Sequence, residues 1–186
     1  MALNFSRRWP WSTVSDPPDA QNFAPSSILL ASEGRRISQE AIALAVRLAR
    51  KSNAPVHVFV IARIWGSSFG LPHPGLMPTK REWQAHREIV ADAVAELKRE
   101  GIEATGSVVS SRNAAGRILT EARRLRSGAI IMGAPPPRHW LVAGFMWEHE
   151  PYRVRRKAQA PVYLVVDRTP LARQAPTRRE EMNGMA

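Results

Sequence analysis

The chain has 186 residues, of which 44% are hydrophobic and none is cysteine. This composition suits one globular domain with terminal extensions and excludes disulfides, thiol nucleophiles and thiolate zinc sites. The net charge of +11 comes from 27 basic and 16 acidic side chains. A surface with this charge attracts nucleic acid or anionic lipid. In the alternative interpretation, the charge only reflects a proteome that is rich in arginine.

Proline and polar residues divide the chain into three regions. Residues 1–25 contain four prolines and no periodic apolar pattern, which predicts an irregular leader. Residues 168–186 are polar and predict a disordered tail. No apolar run approaches the roughly 20 residues of a membrane helix, and no signal peptide is evident. We therefore expect a cytoplasmic protein without a membrane span, with its single domain at residues 26–167, where most of the positive charge lies.

The domain begins with alternating strand and helix signals. The apolar run Ser27–Ser32 predicts a strand, and Ser38 is a suitable N-cap for the helix that follows. The apolar face of this helix consists of Ala41, Leu44, Ala45 and Leu48. The helix ends at Asn53, and the uninterrupted β-branched run Val56–Ala62 predicts a strand that is covered on both faces.

A long loop separates this first unit from the next. Residues 63–79 hold three glycines and three prolines, and a helix is predicted from about Lys80 to Glu100, ended by Gly101. Its apolar face consists of Trp83, Val90, Val94 and Leu97, with Ile89 and Ala93 beside them. The segment Ile102–Ser110 predicts a third strand.

Two further units complete the pattern. Asn113 is the predicted N-cap of a third helix, whose buried side consists of Ile118, Leu119, Ala122 and Leu125. Ala129–Gly133 predicts a fourth strand, Trp147–Ala158 a fourth helix and Pro161–Val166 a fifth strand. Repeated alternation of strands and helices predicts an α/β fold, an open parallel sheet with helices on both faces.

A ligand of such a fold binds in the crevice beyond the carboxyl ends of the strands. The candidate loops are Glu33–Ile37 and Ala134–Met146. Gly34 would let backbone amides approach a phosphate, and the Glu33 carboxylate would accept hydrogen bonds from ribose hydroxyls. In the alternative interpretation, Gly34 only makes a tight turn and Glu33 is a solvated loop charge.

Four segments in order resemble the universal stress protein family over residues 27–166. The first strand and the start of its helix read ILLASEGRRIS, where the family has Asp-Gly-Ser after the strand. The segment before the fourth strand reads RNAAGRILTEA, the fourth strand AIIMG ends in Met-Gly, and the last strand reads APVYLVV. The resemblance implies a five-stranded parallel sheet in the order 3-2-1-4-5 and a homodimer formed through the last strand, Pro161–Val166.

The sequence departs from the loop with which many members of that family bind ATP, Gly-x-x-Gly, nine residues, then Gly-Ser or Gly-Thr. Gly133 matches the first glycine, but the second falls on Pro136, which has no amide donor. The Gly-Ser pair is missing near residues 146–148, where only Gly144 is close and Glu148 would repel phosphate.

With these departures, the resemblance implies a non-enzymatic binding or regulatory module of the stress response that does not bind ATP in the usual manner and needs no cofactor. The nucleotide-site residues carried over from the family are Glu33 (an aspartate in the family), Gly34, Gly133 and Gly144. One alternative is a nucleotide-binding switch that uses the residues retained from this set. The other is a basic protein associated with RNA or DNA.

The sequence offers two possible roles for each of two further features and assigns no role to a third. Trp140, Phe145 and Trp147 form either a lid over the crevice or a patch for a protein partner. The basic segment Tyr152–Lys157 is either a solvated helix face or a contact for nucleic acid or membrane. The histidines and glutamates at residues 139–150 do not converge as a metal site requires, and no catalytic motif is present, so we expect neither a metal nor enzymatic activity.

Overall fold

The predicted alternation of strands and helices is confirmed. The computed structural model describes residues 24–64, 77–134 and 150–166. In chain order its elements are β1 (Ile28–Ser32), α1 (Gln39–Ser52), β2 (Val56–Arg63), α2 (Lys80–Arg99), β3 (Ala104–Ser111), α3 (Ala114–Arg124), β4 (Ala129–Ala134), α4 (Glu150–Lys157) and β5 (Val162–Val166). The predicted tail, nearly all of the leader, the aromatic patch and the predicted start of α4 lie outside the described residues.

The strands form one parallel sheet in the order β3-β2-β1-β4-β5, as the family resemblance implies. All five residues of β1 are buried, because β1 lies between two strands and is covered on both faces. Its alternate side chains enter different cores: Leu30 packs with α1 and α2, and Leu29 packs with α3 and α4. Truncating either leucine to alanine would therefore remove about 2–5 kcal/mol of stability.

Hydrogen-bonding side chains start three of the helices. Ser38 accepts a hydrogen bond from the Ala41 amide at the start of α1, and Asn113 accepts one from the Gly116 amide at the start of α3, so both predicted N-caps are confirmed. At α2, Thr79 and Glu82 form a reciprocal capping box. Within the described ranges no helix has the length and apolar character that crossing a bilayer requires.

Several strand boundaries differ from the prediction by one or two residues, and two of these differences have a clear cause. Arg63, expected in the long loop, is the last residue of β2, because β3 continues far enough for Arg63 to pair with Ser111. Ile102, expected to open β3, instead closes the C-terminal cap after α2, since its amide donates to the Leu97 carbonyl. The first difference matters for function, because it places the Arg63 side chain at the carboxyl edge of the sheet.

Candidate functional site

The crevice predicted from the sequence lies where the connections from β1 and β4 diverge. The two strands are neighbours at the centre of the sheet. The chain leaves β1 toward α1 on one face, whereas α3 and α4 cover the other face. This is the place at which open α/β sheets usually bind ligands.

Glu33 follows β1 directly and points into a charged cluster, so the interpretation as a solvated loop charge is wrong. Its side chain is only 7% exposed, and one carboxylate oxygen lies 3.2 Å from an Arg63 guanidinium nitrogen. The hydroxyl of Ser32 donates to the Arg35 carbonyl at 2.6 Å and so braces the turn that carries Glu33.

Burial raises the pKa of the Glu33 carboxyl above its usual value. The nearby Arg63 and Arg35 charges lower this pKa, whereas the Glu150 charge raises it, and the net direction is upward. Desolvation therefore outweighs the ion pair. The Glu33 carboxylate is therefore held in place at a cost in desolvation free energy, and its position does not favour the approach of a second anion.

Glu150 is the second acidic member of the cluster. It is the first residue of α4, and its side chain is 8% exposed. Arg63 donates to one of its oxygens at 3.3 Å and Arg153 donates to the same oxygen at 3.0 Å. The other oxygen accepts a 2.9 Å hydrogen bond from the Ala115 amide, in the first turn of α3. Glu150 thus occupies a helix amino terminus, a position that otherwise attracts anionic ligands.

Arg63 connects these parts. Its guanidinium bridges Glu33 at the end of β1 and Glu150 at the start of α4, and its side chain is 27% exposed. We call Glu33, Arg63, Glu150 and Arg153 the crevice cluster. Sequence reasoning missed Arg63, which was assigned to the loop, and considered Glu150 only as a metal ligand. Glu150 and Arg153, three residues apart at the start of a predicted helix, were visible in the sequence. No local signal showed that Arg63 also reaches Glu150.

Gly34 is required by local geometry. Its φ is +87°, and a Cβ at this position would lie 2.6 Å from His86 Nε2 and 3.1 Å from the Ile61 carbonyl oxygen. A tight turn between β1 and α1 therefore accounts for this glycine, and its role toward a ligand stays a prediction. His86, on α2, is a neighbour of the crevice that the sequence did not indicate.

The remaining predicted site residues are less constrained. Gly133 is exposed in β4, has no positive φ, and a Cβ there would meet no described atom within 4 Å. Local geometry thus does not demand a glycine at this position. Gly144, Pro136 and Glu148 lie outside the described residues.

His57 lies on β2 away from the crevice. Its Nδ1 is 2.8 Å from Thr105 Oγ1 and its Nε2 is 2.9 Å from Ser107 Oγ. Burial lowers the pKa of His57, although the Glu121 carboxylate opposes this shift. Both ring nitrogens therefore lie within hydrogen-bond distance of hydroxyl groups on β3. No trio of His, Asp or Glu side chains in the described part of the chain is arranged to hold a metal ion.

Comparison with known proteins gives one family. The sequence profile of the universal stress protein family matches residues 26–166. No curated protein sequence matches the chain.

Solved structures of that family have a similar fold. One from Burkholderia pseudomallei is 22% identical, covers 76% of this chain and 97% of its own, and gives a TM-score of 0.55. A universal stress protein from Archaeoglobus fulgidus in complex with dAMP is 20% identical, with coverages of 74% and 95% and a TM-score of 0.52. A universal stress protein in complex with cAMP is 17% identical, with coverages of 77% and 98% and a TM-score of 0.58. Identities this low show a shared fold alone.

Proposed function

The chain belongs to the universal stress protein family. We propose that it is a non-enzymatic binding or regulatory module and a homodimer formed through β5. We also propose that it does not bind ATP in the manner usual for the family. The observation that carries the proposal is the crevice cluster. Its two buried carboxylates, Glu33 and Glu150, share Arg63 across the mouth of the crevice.

The cluster opposes a triphosphate in two ways. Glu150 already takes the Ala115 amide at the start of α3, so this donor is not available to a phosphate oxygen. A phosphate oxygen about 5 Å from either carboxylate would also meet a repulsion of about 3 kcal/mol for each pair of unit charges at an effective dielectric constant of about 20. The Arg63 charge opposes this repulsion, but its guanidinium already donates to both carboxylates, so the crevice cluster as a whole gives a phosphate no net attraction.

The loop after β4 supports the same conclusion. Backbone amides of a glycine-rich loop cradle phosphates in nucleotide-binding sites. Here Pro135, Pro136 and Pro137 follow Ala134 in the sequence, and proline contributes no amide hydrogen.

The dimer is proposed from the edge of the sheet. Among the described strands, β5 pairs only with β4, and its last residue, Val166, is 40% exposed. An uncovered apolar strand edge invites pairing with another chain, and a second copy of β5 would satisfy it. We expect the wild-type protein to be a dimer by light scattering coupled to size-exclusion chromatography, and Val166→Lys to shift it toward monomer. Met77→Lys is the matched control, because Met77 is also exposed (45%) but lies before α2. A wild-type monomer at all concentrations would remove this proposal.

A nucleotide-binding switch is the second candidate. Two structures of similar fold are described in complex with dAMP and with cAMP, and this chain retains Gly34 and Gly133 from the family pattern. A monophosphate carries less charge than ATP and meets less repulsion from the crevice cluster. Its binding would leave the proposal about ATP intact and assign the crevice to mononucleotides.

The test is a thermal-shift and calorimetric titration of the full chain with ATP, AMP and cAMP. A ligand present at 100 times its Kd stabilises the folded state by about 2.7 kcal/mol, so ATP binding at micromolar Kd is readily detected. We expect no ATP-dependent stabilisation of the wild type. Glu150→Gln, which removes one crevice charge, should increase the response to phosphates relative to Glu100→Gln, a control on the surface. Micromolar ATP binding by the wild type would refute the proposal.

A further inference from the structure

A second groove lies at the opposite edge of the sheet, between the carboxyl-terminal ends of α3 and α4. Its volume is about 600 Å³, within the range of small-molecule sites. The floor is apolar and is formed by Leu119, Ala122, Ile130, Ala158, Ala160 and Pro161. We propose that this groove binds a small organic phosphate, with the apolar body of the ligand on the floor and its phosphate among the cations at the rim.

The described residues at the rim are positively charged. Arg123, Arg126 and Lys157 line the groove, and no Asp or Glu among the described residues does. Arg123 donates only to the Thr120 hydroxyl, at 3.3 Å, and neither Arg126 nor Lys157 forms an ion pair within the described part of the chain. Arg50, by contrast, forms an ion pair with Glu100 at 2.7 Å. An anionic group is therefore the complementary occupant.

Arg126 adopts a backbone conformation that arginine rarely takes. Its φ is +48°, and it follows α3 in a motif in which the Arg126 amide donates to the Arg123 carbonyl and the Ser127 amide to the Ala122 carbonyl. These two bonds define the Schellman motif, whose left-handed position favours glycine or asparagine.

The same chain supplies internal comparisons for this position. The end of α2 has the same two-bond pattern with Gly101 at φ +77°, and α1 ends with Asn53 at φ +51°. Among the described helices, only the one that ends at the groove has a long cationic residue in the left-handed backbone conformation after its last turn. A residue held in an unfavourable conformation points to a function for its side chain.

Ser127 also lines the groove and is 9% exposed. Its hydroxyl is closed to solvent and has no hydrogen-bond partner among the described residues. We therefore count Ser127 as part of the groove wall and not as a donor to the ligand, and the proposal depends on the cations at the rim and on the conformation of Arg126.

Helix electrostatics alone does not account for the rim. Cations in the last turn of a helix complement its negative end, which explains Arg123 and Lys157. It does not explain Arg126 beyond the end of α3, where glycine would avoid the strain. Because both helices present their negative ends here, the phosphate has to be held by side chains, and its affinity should fall steeply as salt rises.

The experiment is calorimetric titration of the full chain with 1-naphthyl phosphate, compared with 1-naphthol and with inorganic phosphate. We expect naphthyl phosphate to bind more tightly than either fragment. Arg126→Gln should weaken binding about tenfold, the effect of losing one charged hydrogen bond. Arg87→Gln is the matched control, because it removes the same charge from the exposed face of α2, which packs on the other side of the sheet.

Arg126→Gly separates binding from folding. Glycine suits the left-handed position, so this variant should fold at least as stably as the wild type yet lose binding to the same degree. Absence of naphthyl phosphate binding, or equal weakening by Arg87→Gln, would overturn the proposal. So would a short single-stranded oligonucleotide that binds more tightly and displaces the probe, because it would assign the groove to a phosphodiester polymer.

Discussion

Replacing Arg63 by methionine tests the crevice cluster directly. The substitution keeps an unbranched side chain in β2 but removes the charge that lies 3.2 Å from Glu33 and 3.3 Å from Glu150. It leaves two buried carboxylates, 7% and 8% exposed, with Arg153 as the only member of the cluster that still compensates them.

The expected loss follows from these distances. At an effective dielectric constant of about 20, each contact contributes about 5 kcal/mol of attraction, most of which offsets the cost of removing the charges from water. Breaking a buried ion pair by removing one partner typically destabilises by about 3–5 kcal/mol. Because Arg63 is 27% exposed and water screens part of its charge, we expect Arg63→Met to lower the free energy of unfolding by about 2–4 kcal/mol.

Urea unfolding at pH 7 and pH 5 measures this loss. The deficit of Arg63→Met should be smaller at pH 5, because the pKa of Glu33 is already raised by burial and loses the lowering influence of Arg63, so the folded variant binds this proton more readily. Arg50→Met is the control: its 2.7 Å contact with Glu100 is shorter, but the two side chains are 59% and 48% exposed, so its loss should stay below about 1 kcal/mol. The reasoning would be refuted if the two variants lost equal free energy of unfolding, or if the deficit of Arg63→Met were the same at pH 7 and pH 5.

Two further predictions concern the same turn. Gly34→Ala should lower the free energy of unfolding by about 2–3 kcal/mol, because it combines a positive φ with a Cβ 2.6 Å from His86 Nε2; adding His86→Ala should recover only part of this loss in urea unfolding, since the φ and the Ile61 carbonyl remain. For Glu33, burial raises the pKa above the unfolded value, so the folded protein binds this proton more tightly and gains stability as the pH falls through the folded pKa. Glu33→Gln should therefore flatten that part of a melting-temperature profile between pH 7 and pH 4, and a profile identical to the wild type would contradict the assignment.

The fold was predictable because its signals are local. The central strands are continuous apolar runs, and Ser38 and Asn113 mark helix starts by their side-chain chemistry. The family resemblance is confirmed by the match over residues 26–166. The capping box of α2 was also visible in the sequence, as a threonine followed three residues later by a glutamate, but it was not recognised.

The crevice cluster was not predictable in the same way. Arg63 contacts one residue 30 positions earlier and another 87 positions later, and neither separation has a periodic signature. Whether the Glu33 side chain is solvated or buried depends on tertiary packing, which the turn sequence after β1 does not reveal. Arg126 was hidden for a related reason: an arginine after a helix is ordinary in sequence, and only its φ of +48° makes it unusual.

The two edges of the sheet differ in how they balance charge, and this difference decides where an anion should bind. At the carboxyl edge, Glu33 and Glu150 lie beside Arg63 and Arg153, so the crevice cluster is close to neutral. At the amino edge, the part of the chain that the structure describes lines the groove with three cations and no carboxylate. Of these two sites, the groove therefore has the excess of positive charge, and the crevice in which an α/β fold usually binds its ligand does not. If phosphates nevertheless bound in the crevice and not in the groove, local charge balance would be the wrong guide to ligand binding in this protein.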